Sequence, residues 1–449
     1  MRWLRRIPRR VSQHMSRRVL TRVTVALVVL NLAVLGVLFV AMAHARHGFG
    51  SFGISLIDLD VYRLGSRMWL DGGNLYGPLP PLLGGGALPF TYPPFAAIVL
   101  SPLAMVHFWL AGVILTVVSL GLVVLVVALV LRADRIRPAG AWLTVALLVA
   151  APAAMLFEPV RANIDNGQIN IVLMAMVAVD CLVARDGRYG RRYRGVLIGL
   201  AAAIKLTPAV FVLFLLLDRD RSPAARSTVR STLGSTLGGA LRAAGAFLAA
   251  TGLAFLLATR DSIAYWTTVL GQTDRIGNPV YTSNQSITGV LARFGLPEQW
   301  RTGLWLVLAV LVLGITAVAI RRCLGTGRTS LALGITALAE LLISPVSWSH
   351  HWVWVVPLLL SLAIVAVRER ATWAAVLTAV GAVVFALSPE WWVPHGGEHE
   401  LSWSWWQHLL GDAYVWFGLA ALVTVAVVAI RPARHARFAE PARFAEIIG

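Results

Sequence analysis

Apolar runs long enough to cross a bilayer recur along this chain, and short arginine-rich loops separate them. A helix needs about 20 mainly apolar residues to span the hydrocarbon core, and runs of this kind leave no stretch for a sizeable soluble domain. Charged residues make up 13% of the chain, against about 25% in a soluble domain. The sequence therefore predicts an all-α polytopic membrane protein.

The formal net charge of +18 comes from arginines that cluster in the short loops and at both termini. This distribution follows the positive-inside rule and differs from the single basic face of a nucleic-acid-binding domain. We therefore expect membrane lipids, and no nucleic acid, as partners. The apolar run Val23–Ala43 is too long for a signal peptide, so we interpret it as an uncleaved first span.

The alternation of charge predicts about twelve transmembrane helices with both termini in the cytoplasm. One integral-membrane domain is predicted for residues 23–430, between a basic cytoplasmic N-terminus (1–22) and a basic cytoplasmic tail (431–449). Short helices are expected in the first and middle outer loops. The predicted outer loops are 44–108, 157–168, 259–300, 344–351 and 389–409.

Residues Gly195–Leu217 interrupt this alternation, because a single crossing here would place every later basic loop outside. Two short half-helices that turn back keep the arginines inside. Pro208 favours a turn here, since proline removes a backbone donor and disfavours helix just before it. We predict a re-entrant hairpin with its apex at Lys205. Irregular backbone at membrane depth is tolerated only beside protein or water, so the apex should line a cavity.

The predicted topology collects the polar motifs on the outer side of the membrane. They are DLDVYRLGSRMWLDGGNLY, FTYPPF, NGQIN, NQSITG and SPVSWSHHW, together with IKLTP at the hairpin apex. A transporter would instead place its polar residues near the midplane of broken helices. The distribution therefore favours an enzyme that acts on lipid-borne substrates, and a lipid or solute transporter is the alternative from another class.

In order and spacing, these motifs resemble those of the polyprenol-phosphate-mannose-dependent alpha-1,2-mannosyltransferases, which have a GT-C type fold. The resemblance extends over roughly residues 20–430. It implies transfer of mannose from polyprenyl-phosphate mannose to a mannosyl hydroxyl of a phosphatidylinositol mannoside. It further implies an alpha-1,2 linkage, inversion, a general-base carboxylate in the first outer loop, and the outer face of a bacterial plasma membrane as the location.

The residues alone leave the donor sugar open. Another lipid-linked glycosyltransferase, either a lipomannan- or lipoarabinomannan-branching enzyme or an arabinosyltransferase, would share the same motifs. No cofactor is expected for any of these reactions.

Two carboxylates in the first outer loop compete for the role of general base. On a helix Asp58 and Asp60 lie about 200° apart, so only one of them can face a given cleft. Asp60 has Arg63 three residues further on, which is an ordinary surface pairing, whereas no such cation follows Asp58. We predict Asp58 as the base that accepts the hydroxyl proton. A helix N-cap is the alternative use of its side chain.

Lys205 is the only lysine in the chain, and it lies in the apolar segment GLAAAIKLTPAVF. A charged side chain at bilayer depth costs about 2.5–3.5 kcal/mol, so such a residue needs a reason to be there. The leaving phosphate of a lipid-phosphate donor gains negative charge as the glycosidic bond breaks, and a fixed cation stabilises that charge. We predict that Lys205, together with Arg63, binds the donor phosphate. Snorkelling of the lysine to the interface is the alternative.

His350 and His351 follow SPVSWS at the outer end of a predicted span. Imidazole binds phosphate or sugar hydroxyls, so both are assigned to the donor phosphate, and the sequence does not decide which of them acts. Anchoring at the membrane interface is the alternative. No carboxylate pair accompanies the two histidines, and we therefore predict no metal site.

Sugar and acceptor binding are assigned to side chains whose amides, phenols or carboxylates can hydrogen-bond hydroxyl groups. Helix capping is an equally good account of the asparagines. The assigned residues are Asp60, Tyr62, Tyr92, Asn166, Gln168, Asn284 and Gln285.

Overall fold

A computed structural model of the chain describes residues 55–136, 141–183, 192–218 and 229–428. Across these residues the secondary structure is helical, with one isolated β-bridge between Asn284 and Trp348, which confirms the predicted all-α class. The predicted first span, the basic N-terminus and the basic tail lie outside the described residues.

The helices follow one another with short connections, so their order can be given along the chain. The α-helices are α1 (Ile57–Leu70), α2 (Pro94–Met105), α3 (Phe108–Ala133), α4 (Ala141–Ala154), α5 (Glu158–Asp165), α6 (Asn170–Leu182), α7 (Val196–Ile204), α8 (Val212–Leu217), α9 (Val229–Leu257), α10 (Thr259–Thr267), α11 (Ile287–Arg293), α12 (Glu298–Gly325), α13 (Thr329–Ile343), α14 (Val355–Glu369), α15 (Thr372–Leu387), α16 (Trp405–Gly411) and α17 (Ala413–Val427). The 3₁₀ helices nearest the site are Thr207–Phe211 and Ser349–Trp354.

Four stretches in the described part are long and apolar enough to cross a membrane: α3, Leu237–Leu257 of α9, α12, and Ser349–Glu369. The pairs α4–α5 and α16–α17 also pass this test together, and each pair bends by 74° at a short break. Pro159 lies at the start of α5, where its missing N–H prevents α4 from continuing. Further apolar helices, among them α2, α6, α13 and α15, have 10–17 residues. The chain is therefore a multi-pass membrane protein.

Helix α13 is the centre of the bundle, because every residue from Thr329 to Leu342 is buried. A helix that is apolar on all sides is stable only when other helices surround it. Helix α12, by contrast, leaves large apolar side chains such as Val310 exposed, as expected of a surface that faces lipid. The C-terminal end of α13 contacts the 3₁₀ helices Thr207–Phe211 and Ser349–Trp354.

The chain reverses direction at Lys205, which follows the last residue of α7 and has extended backbone angles. Arg194, just before α7, pairs with Asp218, just after α8, at 2.5 Å, so the two ends of the segment lie side by side. Gly195 has a φ of +99°, and a Cβ there would lie 2.1 Å from the carbonyl oxygen of Gly239 in α9. The segment is thus a helical hairpin that packs on α9.

Candidate active site

The first turn of α1 holds Asp58, and its backbone amides are capped by a distant segment. The Leu56 amide donates to the carbonyl oxygen of Asp165 at 2.7 Å, and the Asp58 amide donates to that of Asn166 at 2.9 Å. The N-cap residue Leu56 makes no side-chain capping bond, and among the described residues the Ser55 hydroxyl accepts from the Ile57 amide at 3.4 Å. The alternative of Asp58 as an N-cap is therefore wrong, because backbone carbonyls already satisfy the free amides and the carboxylate is available for chemistry.

Gln168 binds the Asp58 carboxylate, and two tyrosines fix the orientation of its amide. The Tyr62 hydroxyl donates to Gln168 Oε1 at 2.6 Å, the Tyr92 hydroxyl lies 3.4 Å from the same oxygen, and the two hydroxyls lie 3.0 Å apart. Since its oxygen accepts from the phenols, the amide nitrogen of Gln168 remains to donate to Asp58. The carboxylate is held in one place by this network.

Burial raises the pKa of Asp58 to about 6. The hydrogen bond from Gln168 and the positive charge of Lys205 lower this pKa, but they do not cancel the cost of moving a carboxylate out of water. A carboxylate with a pKa of about 6 is still ionised at neutral pH and is a stronger base than an exposed aspartate. These are the properties that a general base needs.

The Lys205 ammonium lies at the hairpin apex, where it meets residues from three other segments. It donates to Asn170 Oδ1 at 2.9 Å and lies 3.1 Å from His351 Nε2. It also lies 5.4 Å from the centroid of the Tyr92 ring, within the range of a cation–π contact. Because an ammonium only donates, Nε2 of His351 accepts here, which leaves the other ring nitrogen protonated and the imidazole neutral.

The two histidines have different partners, although their rings are neighbours with centroids 4.9 Å apart. His351 contacts Lys205, whereas Nδ1 of His350 lies 3.1 Å from the amide nitrogen of Asn166. The backbone oxygen of His350 accepts from Asn170 at 3.2 Å. His351 is thus the histidine beside the cation, and His350 links the turn that caps α1 to the same cluster.

Not all residues assigned from the sequence lie in this cluster. Asp60 Oδ2 accepts from the Leu83 amide at 2.7 Å, whereas Asp58 is bound by Gln168. Arg63 donates to the backbone oxygens of Leu103 and Val106 (the latter at 2.7 Å). Cations at the end of a helix stabilise its free carbonyls, and Arg63 does this at the end of α2. The assignments of Asp60 to sugar and of Arg63 to phosphate stay predictions, and in this structure both side chains bind backbone groups outside the cluster.

Asn284 and Gln285 are also outside the cluster, since both side chains are fully buried. Asn284 Oδ1 accepts from the Ser347 amide at 2.9 Å, and Gln285 Nε2 donates to the backbone oxygen of Gly411 at 2.6 Å. These bonds connect residues 284 and 285 to Ser347 and to the last residue of α16. Their assignment to sugar binding stays a prediction, and in this structure both amides bind protein groups.

Glu340 in α13 lies near Lys205 and was not singled out in the sequence. Its carboxylate hydrogen-bonds Thr207 and Trp354, and it lies close enough to Lys205 for the two charges to attract. It is the only acid in the apolar segment of α13. An ionisable residue inside an apolar segment is a functional candidate by default, and this signal could have identified Glu340.

Comparison with known proteins identifies relatives over most of the chain. Residues 90–345 match glycosyltransferase family 87. The chain is 41% identical, over 83% of its length and 84% of the relative's, to a polyprenol-phosphate-mannose-dependent alpha-(1-2)-phosphatidylinositol mannoside mannosyltransferase of Mycolicibacterium smegmatis. It is 40% identical to the protein of the same description in Mycobacterium tuberculosis, over 82% of this chain and 83% of that one.

A third relative from Mycolicibacterium smegmatis is described as a polyprenol-phosphate-mannose-dependent alpha-(1-2)-phosphatidylinositol pentamannoside mannosyltransferase. The chain is 34% identical to it, over 69% of each protein. No solved structure matches the chain.

Proposed function

The chain belongs to glycosyltransferase family 87 and is a membrane mannosyltransferase that uses polyprenol-phosphate mannose, and we propose that Asp58 is its general base and Lys205 its donor-phosphate cation. The acceptor is a phosphatidylinositol mannoside, to which an alpha-1,2-linked mannose is added. One observation carries this proposal: Tyr92 lies between the two groups, with its hydroxyl 3.4 Å from Oε1 of Gln168, which binds Asp58, and its ring centroid 5.4 Å from the Lys205 ammonium.

The cluster supports a single-displacement reaction. Asp58 removes the proton from the acceptor hydroxyl as its oxygen bonds to the anomeric carbon of mannose. The bond from that carbon to the phosphate oxygen breaks, and its electron pair stays on the phosphate. Lys205 stabilises the charge that develops there. A single displacement inverts the anomeric configuration, so a beta-linked donor gives an alpha-linked product.

The side chains around these two groups hold them in position. Gln168 keeps the Asp58 carboxylate in place, with Tyr62 and Tyr92 behind it. Asn170 and His351 hold the ammonium of Lys205. Fixing both groups before the substrates bind removes the need for reorganisation during the reaction. Tyr92 contacts both parts of the cluster, and we propose that the mannosyl group binds beside its ring.

We expect kcat/KM to fall as the pH is lowered through about 6. The base works only when ionised, and the pKa of Asp58 is about 6, so the rate should drop about tenfold from pH 7 to pH 5. The donor is a phosphodiester and does not titrate in this range. The check is a pH profile of initial rates at low substrate concentration. A profile that stays flat down to pH 5 would contradict the role of Asp58.

We propose that the cluster faces the outer side of the membrane and that the hairpin is re-entrant, one of about twelve membrane helices, with both termini in the cytoplasm. In support, Arg192 and Arg194 lie at the open end of the hairpin, away from Lys205. A cysteine in place of exposed Arg192 should react with an impermeant maleimide only in inside-out vesicles. A cysteine in place of exposed Ser402 should react only in right-side-out vesicles.

The labelling experiment has a clean background, because Cys181 and Cys323 are both buried. Reaction of both introduced cysteines from the same side would rule out the proposed hairpin orientation. The unchanged chain, with its two buried cysteines, serves as the blank.

The acceptor and the donor sugar are tested together by product analysis. Membranes that contain the chain should transfer labelled mannose, and not arabinose, from the polyprenyl phosphate to phosphatidylinositol mannosides. Identity is higher to the two relatives described by mannoside than to the pentamannoside relative, which favours acceptors other than the pentamannoside. A labelled arabinan product, or movement of the lipid without a new glycosidic bond, would support the rival enzyme or the transporter.

A further inference from the structure

A small cavity of about 20 Å³ lies behind the Lys205 ammonium, between the hairpin apex and α13. Glu340, Ser347 and His351 are among the residues that line it. A cavity of this size holds about one water molecule. Glu340 shares this cavity with Lys205, so an ionised carboxylate here adds a negative charge beside the ammonium.

Glu340 is bound tightly in this position. Its side chain is buried, with 8% exposure, and its carboxylate hydrogen-bonds Thr207 and Trp354. Its second oxygen, Oε2, and the Ser347 hydroxyl, which borders the same cavity, have no partner among the described residues. Thr207 is two residues after Lys205, so the carboxylate is fastened to the same turn that carries the ammonium.

The charges at the apex discriminate between donor and product. The donor phosphodiester carries one negative charge, whereas the polyprenyl phosphate left after transfer is a monoester with a second pKa of about 6 and carries nearly two. An acid beside Lys205, in its ionised form, offsets part of the attraction of the ammonium for either lipid. Because Coulomb energy scales with the product of the charges, the doubly charged product loses more affinity than the donor does.

We propose that Glu340 is the specificity-determining acid that makes the Lys205 site prefer the singly charged donor over the doubly charged product. The carboxylate does not touch the lipid and takes no part in bond formation. It weakens product binding and so speeds the exchange of spent polyprenyl phosphate for new donor. This inference rests on the proposed function, in which Lys205 binds the donor phosphate.

The test compares wild type with Glu340→Gln, which keeps the side-chain shape and removes the charge. Purified protein is assayed for the donor KM and for inhibition by polyprenyl phosphate and by polyprenyl methyl phosphate, a singly charged diester. We expect the ratio of donor KM to product Ki to rise about tenfold in Glu340→Gln, given the effective dielectric of a partly buried site. The Ki of the methyl diester should shift in parallel with the donor KM.

Glu369→Gln is the matched control, because it removes the same charge from the far end of α14, where Glu369 pairs with Arg328. Its ratio should equal that of wild type. An unchanged ratio in folded Glu340→Gln would overturn the inference while leaving the proposed function intact. A wild-type protein that transfers no mannose would instead refute the proposed function.

A second neutral variant, Glu340→Met, guards against a folding defect. It fills the same volume without hydrogen bonds, and it should raise the ratio as Glu340→Gln does. Melting temperatures report whether each variant is folded. If neither neutral variant folds, Glu340 is a structural anchor of the apex turn, and the inference is overturned.

Discussion

Replacing Asp58 with asparagine is expected to lower kcat for mannosyl transfer by about 10²–10⁴-fold, the usual contribution of a general base. The amide has nearly the shape of the carboxylate but cannot take the acceptor proton. The donor KM should change little, because the proposed phosphate-binding group is Lys205 and not Asp58. Initial rates with labelled donor, measured over a range of donor concentrations, separate kcat from KM.

Asp60→Asn is the matched control on the same helix. Asp60 accepts from the Leu83 amide, a bond that the asparagine oxygen can keep, so this variant should retain most of the activity. The reverse pattern, with Asp60→Asn inactive and Asp58→Asn active, would move the base to the other face of α1. Equal melting temperatures for the two variants would show that the difference is chemical.

Replacing Lys205 with methionine is expected to lower kcat by about 10²–10³-fold and to raise the donor KM. Methionine has a similar length and is common in apolar segments, so the loss of activity would come from removing the positive charge. Asn170 and His351 lose their shared donor. Asn170 still donates to the backbone oxygen of His350, and His351 still borders the cavity. The measurement is the same rate series, together with binding of polyprenyl phosphate to the purified protein.

Lys205→Arg separates charge from geometry. The guanidinium is planar and bulkier than an ammonium, so it should recover only part of the activity at a site where a compact point charge meets Asn170 and His351. If Lys205→Met transferred mannose at the wild-type rate, the lysine would be a structural residue of the hairpin. Full activity of both variants would remove Lys205 from the mechanism.

The different surroundings of Asp58 and Asp60 could be predicted from sequence because they depend on local geometry. Helical periodicity alone predicts that the two carboxylates point in different directions, and in the structure Asp58 binds Gln168 whereas Asp60 binds the Leu83 amide. The turn at Lys205 could also be predicted from sequence, since Pro208 restricts the backbone of the residues just before it. The helical class followed from the apolar runs. Each of these features is decided by residues within a few positions of one another.

Other features depend on contacts between distant segments. Arg63 binds carbonyl oxygens at the end of α2. The sequence of α1 alone does not predict this contact, because the partner lies in another helix. Asn284 and Gln285 have the amides of sugar-binding residues, but the loops around them bury both. Glu340 lies in the apolar run of α13, which by itself predicts only a membrane span. Its neighbour Thr207 lies far away in the sequence.

The capping of α1 by residues 165 and 166 has a consequence for how the protein matures. During synthesis α1 emerges from the ribosome before residues 165 and 166. Its first backbone amides therefore lack their native carbonyl partners during this interval. The first turn of the helix that carries Asp58 has its native partners only after α5 has also been synthesised and has folded alongside. A nascent chain that stalls in between holds the Asp58 carboxylate without these backbone carbonyls and without Gln168.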